Sequence, residues 1–339
     1  MSKSRLNVGV IGAGMIGKVH AENLVFRVPE AKLQVIADVN ENAAQVVAER
    51  CHIPKVVGDY HEILADPAID AIVICSSTNT HARIICEAAQ AGKHIFCEKP
   101  IDFSLAKIDE ALAWVGKTGV KLQIGFNRRF DANFARVRKA VASSEIGEPH
   151  LLHIVSRDPE PPTPEYVKTS GGIFMDMTIH DFDMARYLIG REVVEIFTYG
   201  GVRIDPEIGK AGDLDTVLML LKFEDGTLGT IDNSEKAAYG YDQRVEVFGS
   251  KGAIQIANNY PNTSTISTAE SIHRDLPLYF FIERYIESYT AEMRAFVQAV
   301  LEDRPTPVSG LDGRIPVVMA LAARKSYDEN RPVKLNEVA

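Results

Sequence analysis

The stretch Gly12-Ala13-Gly14-Met15-Ile16-Gly17 restricts the possible folds of this chain more than any other six residues in it. It follows a short apolar run at 6–11 and leads into a helical pattern at 16–28. The next apolar run, 33–38, ends in Asp38. Each glycine has a separate job at that spacing: Gly12 permits a tight turn, Gly14 lets a ligand approach the backbone, and Gly17 allows close helix–strand packing. A helix opening there aims free amides and the positive end of its dipole over the turn, which suits a pyrophosphate. Asp38 suits adenosine ribose hydroxyls and repels a 2′-phosphate, and neither Val39 nor Asn40 supplies a cation. The pattern predicts a dinucleotide site for NAD, with Gly12, Gly14, Met15, Ile16, Gly17 and Asp38 as contacts.

The alternation continues along the chain. Runs at 71–75, 94–97 and 122–124 read as further strands, and 42–50, 80–91 and 104–118 have helical length and spacing. Short apolar strands separated by helices are buried on both faces and run parallel through right-handed crossovers. Residues 1–125 are therefore expected to form an α/β domain with a doubly wound parallel sheet. Beyond a helix near 132–143, strands are expected at 151–156, 193–200, 216–223, 227–234, 244–249 and 253–257. Hairpin turns such as Glu224-Asp225-Gly226 join the later ones. That predicts an α+β domain over 126–339 with a mostly antiparallel sheet. The stretch 158–164, with four prolines, reads as a stiff loop. Ser309 and Asp312, spaced like a capping box, open a last helix at 309–330 that is expected to pack back on the first domain. Pro316 puts the start of that helix in question.

Composition removes whole classes of function. With 46% hydrophobic and 24% charged residues the 339-residue chain is globular and long enough for two cores. Its net charge is −9, and its densest basic spot is the pair Arg128-Arg129, which argues against nucleic-acid or membrane partners. No apolar run reaches bilayer length. The apolar stretch after Lys3 and Arg5 is broken by glycines, Lys18 and His20, unlike a secretory leader. Cys51, Cys75, Cys86 and Cys97 lack metal-ligand spacing and fit a cytoplasmic protein.

Ligands of an open α/β sheet bind past the C-terminal ends of its strands. Ser76, Thr78, Asn79 and His81 follow the third strand, and Glu98 and Lys99 end the fourth, so all are candidate cofactor contacts. Thr80 or Asn79 serves equally well as a helix cap, and His81 also fits a structural role. Lys99 either hydrogen-bonds a substrate hydroxyl and lowers its pKa, or is a solvated lysine. Asp176 and His180 are four apart in a run expected to be one helix, which would put them on one face. The imidazole suits a proton acceptor near neutral pH, with Asp176 orienting it or touching a hydroxyl. Asp181 and Asp183 fall on other faces and are expected to be structural. No zinc-like cluster accompanies them, so no metal is expected.

With GAGMIGKVHAENL, CEKP and GGIFMDMTIHDFDMARYL, the chain resembles the glucose–fructose oxidoreductase/inositol dehydrogenase family over essentially its whole length. The resemblance implies a Rossmann domain followed by a domain whose open sheet mediates oligomers, often tetramers. It also implies a catalytic group of Lys99, Asp176 and His180. Within the family, SRDPEPPTPEYVKTSGG and YGYDQRVEVFGSKG are most similar to the inositol 2-dehydrogenases. That narrower likeness implies NAD-dependent oxidation of a myo-inositol ring hydroxyl to 2-keto-inositol, with His180 as general base. Asn127, Arg128, Arg157, Asp158 and Tyr239 would then touch ring hydroxyls beside Lys99, Asp176 and His180. A homotetramer acting on a small polyol is expected. Scyllo-inositol or a pyranose such as glucose stays open as substrate. A non-catalytic NAD-binding sensor is the third reading, and retention of Lys99, Asp176 and His180 argues against it.

Overall fold

The computed structural model describes residues 4–339. The chain divides into two compact units, Met1–Phe130 with Glu287–Ile315 and Asp131–Ile286 with Pro316–Ala339. The boundary expected at residue 125 lies at 130. The expected continuous second domain is interrupted, because 287–315 belongs with the first unit.

The first unit opens with strand β1 (Leu6–Ile11), helix α1 (Met15–Phe26), β2 (Ala31–Ala37), α2 (Glu41–Cys51), β3 (Lys55–Val57) and α3 (His61–Ala65). It continues with β4 (Ala71–Ile74), α4 (Thr78–Gln90), β5 (His94–Glu98), α5 (Leu105–Thr118) and β6 (Leu122–Gly125). Among the described residues these strands form one sheet in the order β3-β2-β1-β4-β5-β6, every pair parallel. The order reverses at β1/β4, the place where such sheets bind ligands. Its central strands are apolar on both faces; Ile72, Val73, Ile95 and Phe96 are fully buried. The extra pieces β3 and α3 are too short to give a period in the sequence. Gly9 in β1 registers α3 all the same, since a Cβ there would stand 2.6 Å from Ile63 Cγ2.

The second unit contains α6 (Ala132–Ala142), β7 (Pro149–Arg157), α7 (Pro164–Ser170), α8 (Gly172–Asp176), α9 (Thr178–Ile189) and β8 (Val193–Gly201). Then come α10 (Pro206–Lys210), β9 (Thr216–Phe223), β10 (Leu228–Ser234), β11 (Asp242–Gly249), β12 (Gly252–Ile256), and the small hairpin β13 (Thr265–Ser267) and β14 (Ile272–Arg274). Helices α11 (Phe281–Leu301) and α12 (Gly310–Glu329) and strand β15 (Val333–Lys334) end the chain, and the unit boundaries fall inside both helices. The main sheet has the order β12-β11-β7-β10-β9-β8-β15, antiparallel except for β7/β10. One face is buried and the other open. Along β9, Val217, Met219 and Leu221 are buried while Leu218 and Leu220 are half exposed.

Helix α11 is absent from the sequence-based expectations although its spacing is helical. Met293, Phe296 and Val297 are fully buried and join Val8, Val10, Leu24 and Phe96 in the first unit's core. Helix α12 runs through Pro316, and Ser309 and Asp312 cap it reciprocally, each backbone amide donating to the other's side chain.

Candidate functional site

The glycine turn has the geometry its sequence requires. Gly12 takes φ +103°, and a Cβ there would lie 2.5 Å from the Cys75 carbonyl. A Cβ on Gly17 would collide with the Gly12 carbonyl at 2.1 Å, so α1 can approach β1 only without one. Gly14 is the opposite case: nothing lies within 4 Å of its would-be Cβ. It is the N-cap of α1, with no side-chain cap and no acidic residue in the first turn. The helix therefore presents amides to open space, the arrangement that accepts a pyrophosphate. Asp38 stands beside the turn. Its Oδ2 accepts from Ala13 N at 2.7 Å and its Oδ1 from Asn40 N at 2.8 Å, which holds the carboxylate in place with lone pairs to spare for ribose hydroxyls. The residues present fit NAD.

Helix α4 begins at Thr78 rather than residue 80, so Asn79 and Thr80 lie in its first turn and neither is its N-cap. Thr80 Oγ1 bonds Ser76 Oγ and the Ser77 carbonyl, each at 2.7 Å. Ser76 and Thr78 are half-buried at the sheet's C-terminal edge. His81 is buried, with Nδ1 2.8 Å from the Pro100 carbonyl and Nε2 2.9 Å from the Ser76 carbonyl; burial pushes its pKa down. Each ring nitrogen thus faces a backbone carbonyl, and the neutral ring donates to one of them between two loops. The Glu98 carboxylate turns inward, to His20 Nε2 at 2.6 Å. Lys99 follows it, half-buried at the same edge. Asn127 and Arg128 lie in a one-turn 3₁₀ helix after β6, both buried. Asn127 Nδ2 has no hydrogen-bond partner among the described residues.

In the second unit the single helix expected across Asp176 and His180 is broken. Asp176 closes α8 and His180 lies in the first turn of α9, with Met177 between them. Met177 donates to the Ile173 carbonyl and His180 N to the Met177 carbonyl, an i→i+3 contact that tightens the chain at the joint. Partners distant in sequence impose the break. Gly172, at φ +76°, lets α8 start beside Asp213, whose Oδ2 accepts from Ile173 N at 2.9 Å. Thr178 donates to Asn233 Oδ1 at 2.7 Å, and Asn233 donates to Asp181 Oδ2 at 2.8 Å, which pins the start of α9 to β10. Asp181 and Asp183 are fully buried.

Sequence reasoning missed three supports. Tyr166 of α7 donates to Asp176 Oδ1 at 3.1 Å; burial, then the Asp176 charge, pushes the phenol upward, so it stays a donor. Asp213 is the cap just described. Glu235 is 5% exposed, and burial, followed by the charges of Asp213, Asp158, Asp176 and Asp215, pushes it up to about 9. At neutral pH it is an uncharged acid among acids. Only a glutamate between two strand-like runs marked it in the sequence.

Asp158 follows β7 and belongs electrostatically to this group. Arg157 does not. Strand alternation sends Ser156 to the buried face beside Gln243 and sends Arg157 to the open face, where it pairs with Asp232 at 2.5 Å. Tyr239 receives a bond from Arg157 and donates to Asp242, itself bound by Arg244. Arg157 and Tyr239 thus join an ion-pair network on the open face of the sheet.

Comparison with known proteins fits this geometry. Residues 6–126 match the oxidoreductase family with an NAD-binding Rossmann fold, and residues 134–255 match the GFO/IDH/MocA C-terminal domain. Myo-inositol 2-dehydrogenase of Thermotoga maritima is 50% identical over 334 residues, covering 98% of this chain and 99% of that one. Inositol 2-dehydrogenase of Rhizobium meliloti is 45% identical over 330 residues, 96% and 98% of the two chains. The crystal structure of a probable dehydrogenase from Thermotoga maritima superposes with TM-score 0.97 at 49% identity, over 98% of this chain and 100% of that one. Scyllo-inositol dehydrogenase from Lactobacillus casei, with bound NAD(H) and scyllo-inositol, superposes with TM-score 0.92 at 31% identity, over 98% and 99%.

Proposed function

The chain belongs to the GFO/IDH/MocA oxidoreductase family, and on that premise we propose that it oxidises a ring hydroxyl of myo-inositol to 2-keto-inositol with NAD. The observation that carries this reading is half-identity over nearly the full length to a protein named myo-inositol 2-dehydrogenase. Gly12, Gly14, Gly17, the amides of Met15 and Ile16, and Asp38 would hold the cofactor, with Ser76, Thr78 and Asn79 at the neighbouring strand end. Bound NAD supplies the hydride acceptor.

The chain's own residues handle the proton and the developing charge. His180 takes the proton from the reacting hydroxyl as general base. The Lys99 ammonium suits hydrogen-bonding a substrate oxygen and stabilising the negative charge that grows there before the carbonyl forms. Asp176, held by Tyr166, orients the ring through a neighbouring hydroxyl. The buried, unpartnered Asn127 Nδ2 is a further donor for a ring hydroxyl, and Arg128 and Asp158 extend the set. The test is a panel of myo-inositol, scyllo-inositol, chiro-inositol and glucose followed by NADH absorbance. Fastest turnover is expected with myo-inositol, and no turnover with any polyol sinks the reading. Scyllo-inositol is the second substrate reading, favoured by the Lactobacillus casei likeness.

We also infer a cytoplasmic homotetramer. The open face of the second sheet carries Leu151, Tyr199, Leu218, Leu220, Leu228 and Phe248, 38–58% exposed, an apolar surface that a second copy would cover. The free cysteines support the compartment. Light scattering should give a tetramer that Leu218→Glu dissociates, and cell fractionation checks the location. A monomeric parent protein removes the assembly.

A further inference from the structure

A second cluster lies in the first unit, away from the glycine turn. His20 of α1 and Glu292 of α11 are fully buried, and Glu98, the last residue of β5, is 8% exposed. One side-chain nitrogen or oxygen from each lies within 4.8 Å of the others. His20 Nε2 and Glu98 Oε1 are 2.6 Å apart. Both Glu292 oxygens and His20 Nδ1 lack hydrogen-bond partners among the described residues. Phe96 and Tyr289 pack their ring edges around the imidazole, with ring centres at 5.0 and 5.8 Å. Around it, Cys75 follows β4, Cys97 sits on β5, and Gln123 of β6 donates to the Glu292 backbone carbonyl.

Two ionised carboxylates cannot share such a dry space with one imidazole unless a proton or a cation joins them. The short His20–Glu98 contact decides between these. Two ligand atoms on one zinc ion stand about 3.4 Å apart, given bonds of roughly 2.1 Å at the tetrahedral angle. A separation of 2.6 Å is instead that of a charge-assisted hydrogen bond. We propose that His20 and Glu98 share a proton beside Glu292 in its acid form, and that this buried cluster fixes the backbone from which Lys99 projects. Burial, reinforced by the Glu98 charge, raises the Glu292 pKa, in line with that form. Gly125 leaves room for the arrangement: a Cβ there would lie 3.0 Å from the Glu98 carboxylate. On the other side of Lys99, His81 holds the Pro100 carbonyl. Lys99 is therefore gripped through both chain neighbours, and Glu292 is a positioning residue for it. The link to turnover rests on the proposed role of Lys99; the cluster itself does not.

Two measurements on the full-length protein separate these layers. Infrared spectra of glutamate-labelled protein should show carboxylic-acid carbonyl absorption from both Glu235 and Glu292 at neutral pH, and the difference spectrum against Glu292→Gln should show a Glu292 band that the variant lacks. Absence of that band, or a divalent cation that co-purifies in stoichiometric amount and is lost in Glu292→Gln, overturns the cluster whatever the enzyme's substrate. In turnover, Glu292→Gln, which mimics the neutral acid, should lose less than about tenfold in kcat, the value of one neutral hydrogen bond. Glu292→Ala should lose about 10²-fold with unchanged NAD affinity, as expected of a misplaced reacting group. As Glu292 ionises at alkaline pH the parent kcat should fall, and that fall should flatten in Glu292→Gln. Equal losses in Gln and Ala with an unshifted pH profile would show a packing role only and overturn the positioning claim.

Discussion

In the first unit the candidate cofactor site is made almost wholly of backbone: three glycines, the amides that open α1, and a carboxylate held by the amides of Ala13 and Asn40. In the second unit the candidate chemical groups are side chains, and each depends on partners far along the chain. Asp176 leans on Tyr166, α8 on Asp213, α9 on Asn233, and the local charge balance on Glu235. A backbone-built site uses residues that no other amino acid can replace, so its sequence signature is unambiguous. A side-chain site can be assembled from many residue types, and its meaning appears only when the partners are known.

The sharpest way to break this comparison is His180→Ala, which should lower kcat roughly 10²–10⁴-fold while leaving NAD affinity alone. Near-normal turnover would mean that the second unit supplies no base. Next in size, Gly12→Ala and Gly14→Ala should part company. Gly12→Ala strains a positive-φ residue against the Cys75 carbonyl and should lower the Tm, at a cost of about 1–3 kcal/mol. Gly14→Ala meets nothing, so its Tm should hold while NAD affinity drops about tenfold from the methyl filling ligand space. Unchanged NAD affinity in Gly14→Ala would remove the pyrophosphate from that position.

A pH-dependent test concerns Glu235. Its folded-state value of about 9 exceeds the 4.5 of an ordinary glutamate, so between those pH values the folded chain keeps a proton that the unfolded chain releases. Stability contributed by the acid form is full below about pH 4.5 and is lost as pH rises toward 9, by at most about 1.4 kcal/mol per pH unit. Glu235→Gln has no such loss. Its Tm relative to the parent should rise steadily from pH 5 to pH 8, and a pH-independent difference would show that Glu235 is already ionised.

What the sequence determined by itself was whatever local rules control. Apolar runs alternating with helical spacing specified the parallel sheet, and only the short β3 and α3 escaped. Hairpin turns between the later runs specified a mostly antiparallel sheet. The glycine spacing and Asp38 specified the dinucleotide turn. Tertiary structure decided the rest. It returned residues 287–315 to the first unit and broke the chain at Met177. It turned Arg157 to the far side of its sheet and brought Glu292 to His20 and Glu98. Periodicity is a property of neighbours along the chain, whereas a buried charge is tolerated only through partners that folding brings near. The glycine turn could therefore be recognised in six consecutive residues, but the setting of Lys99 required three separate elements to meet.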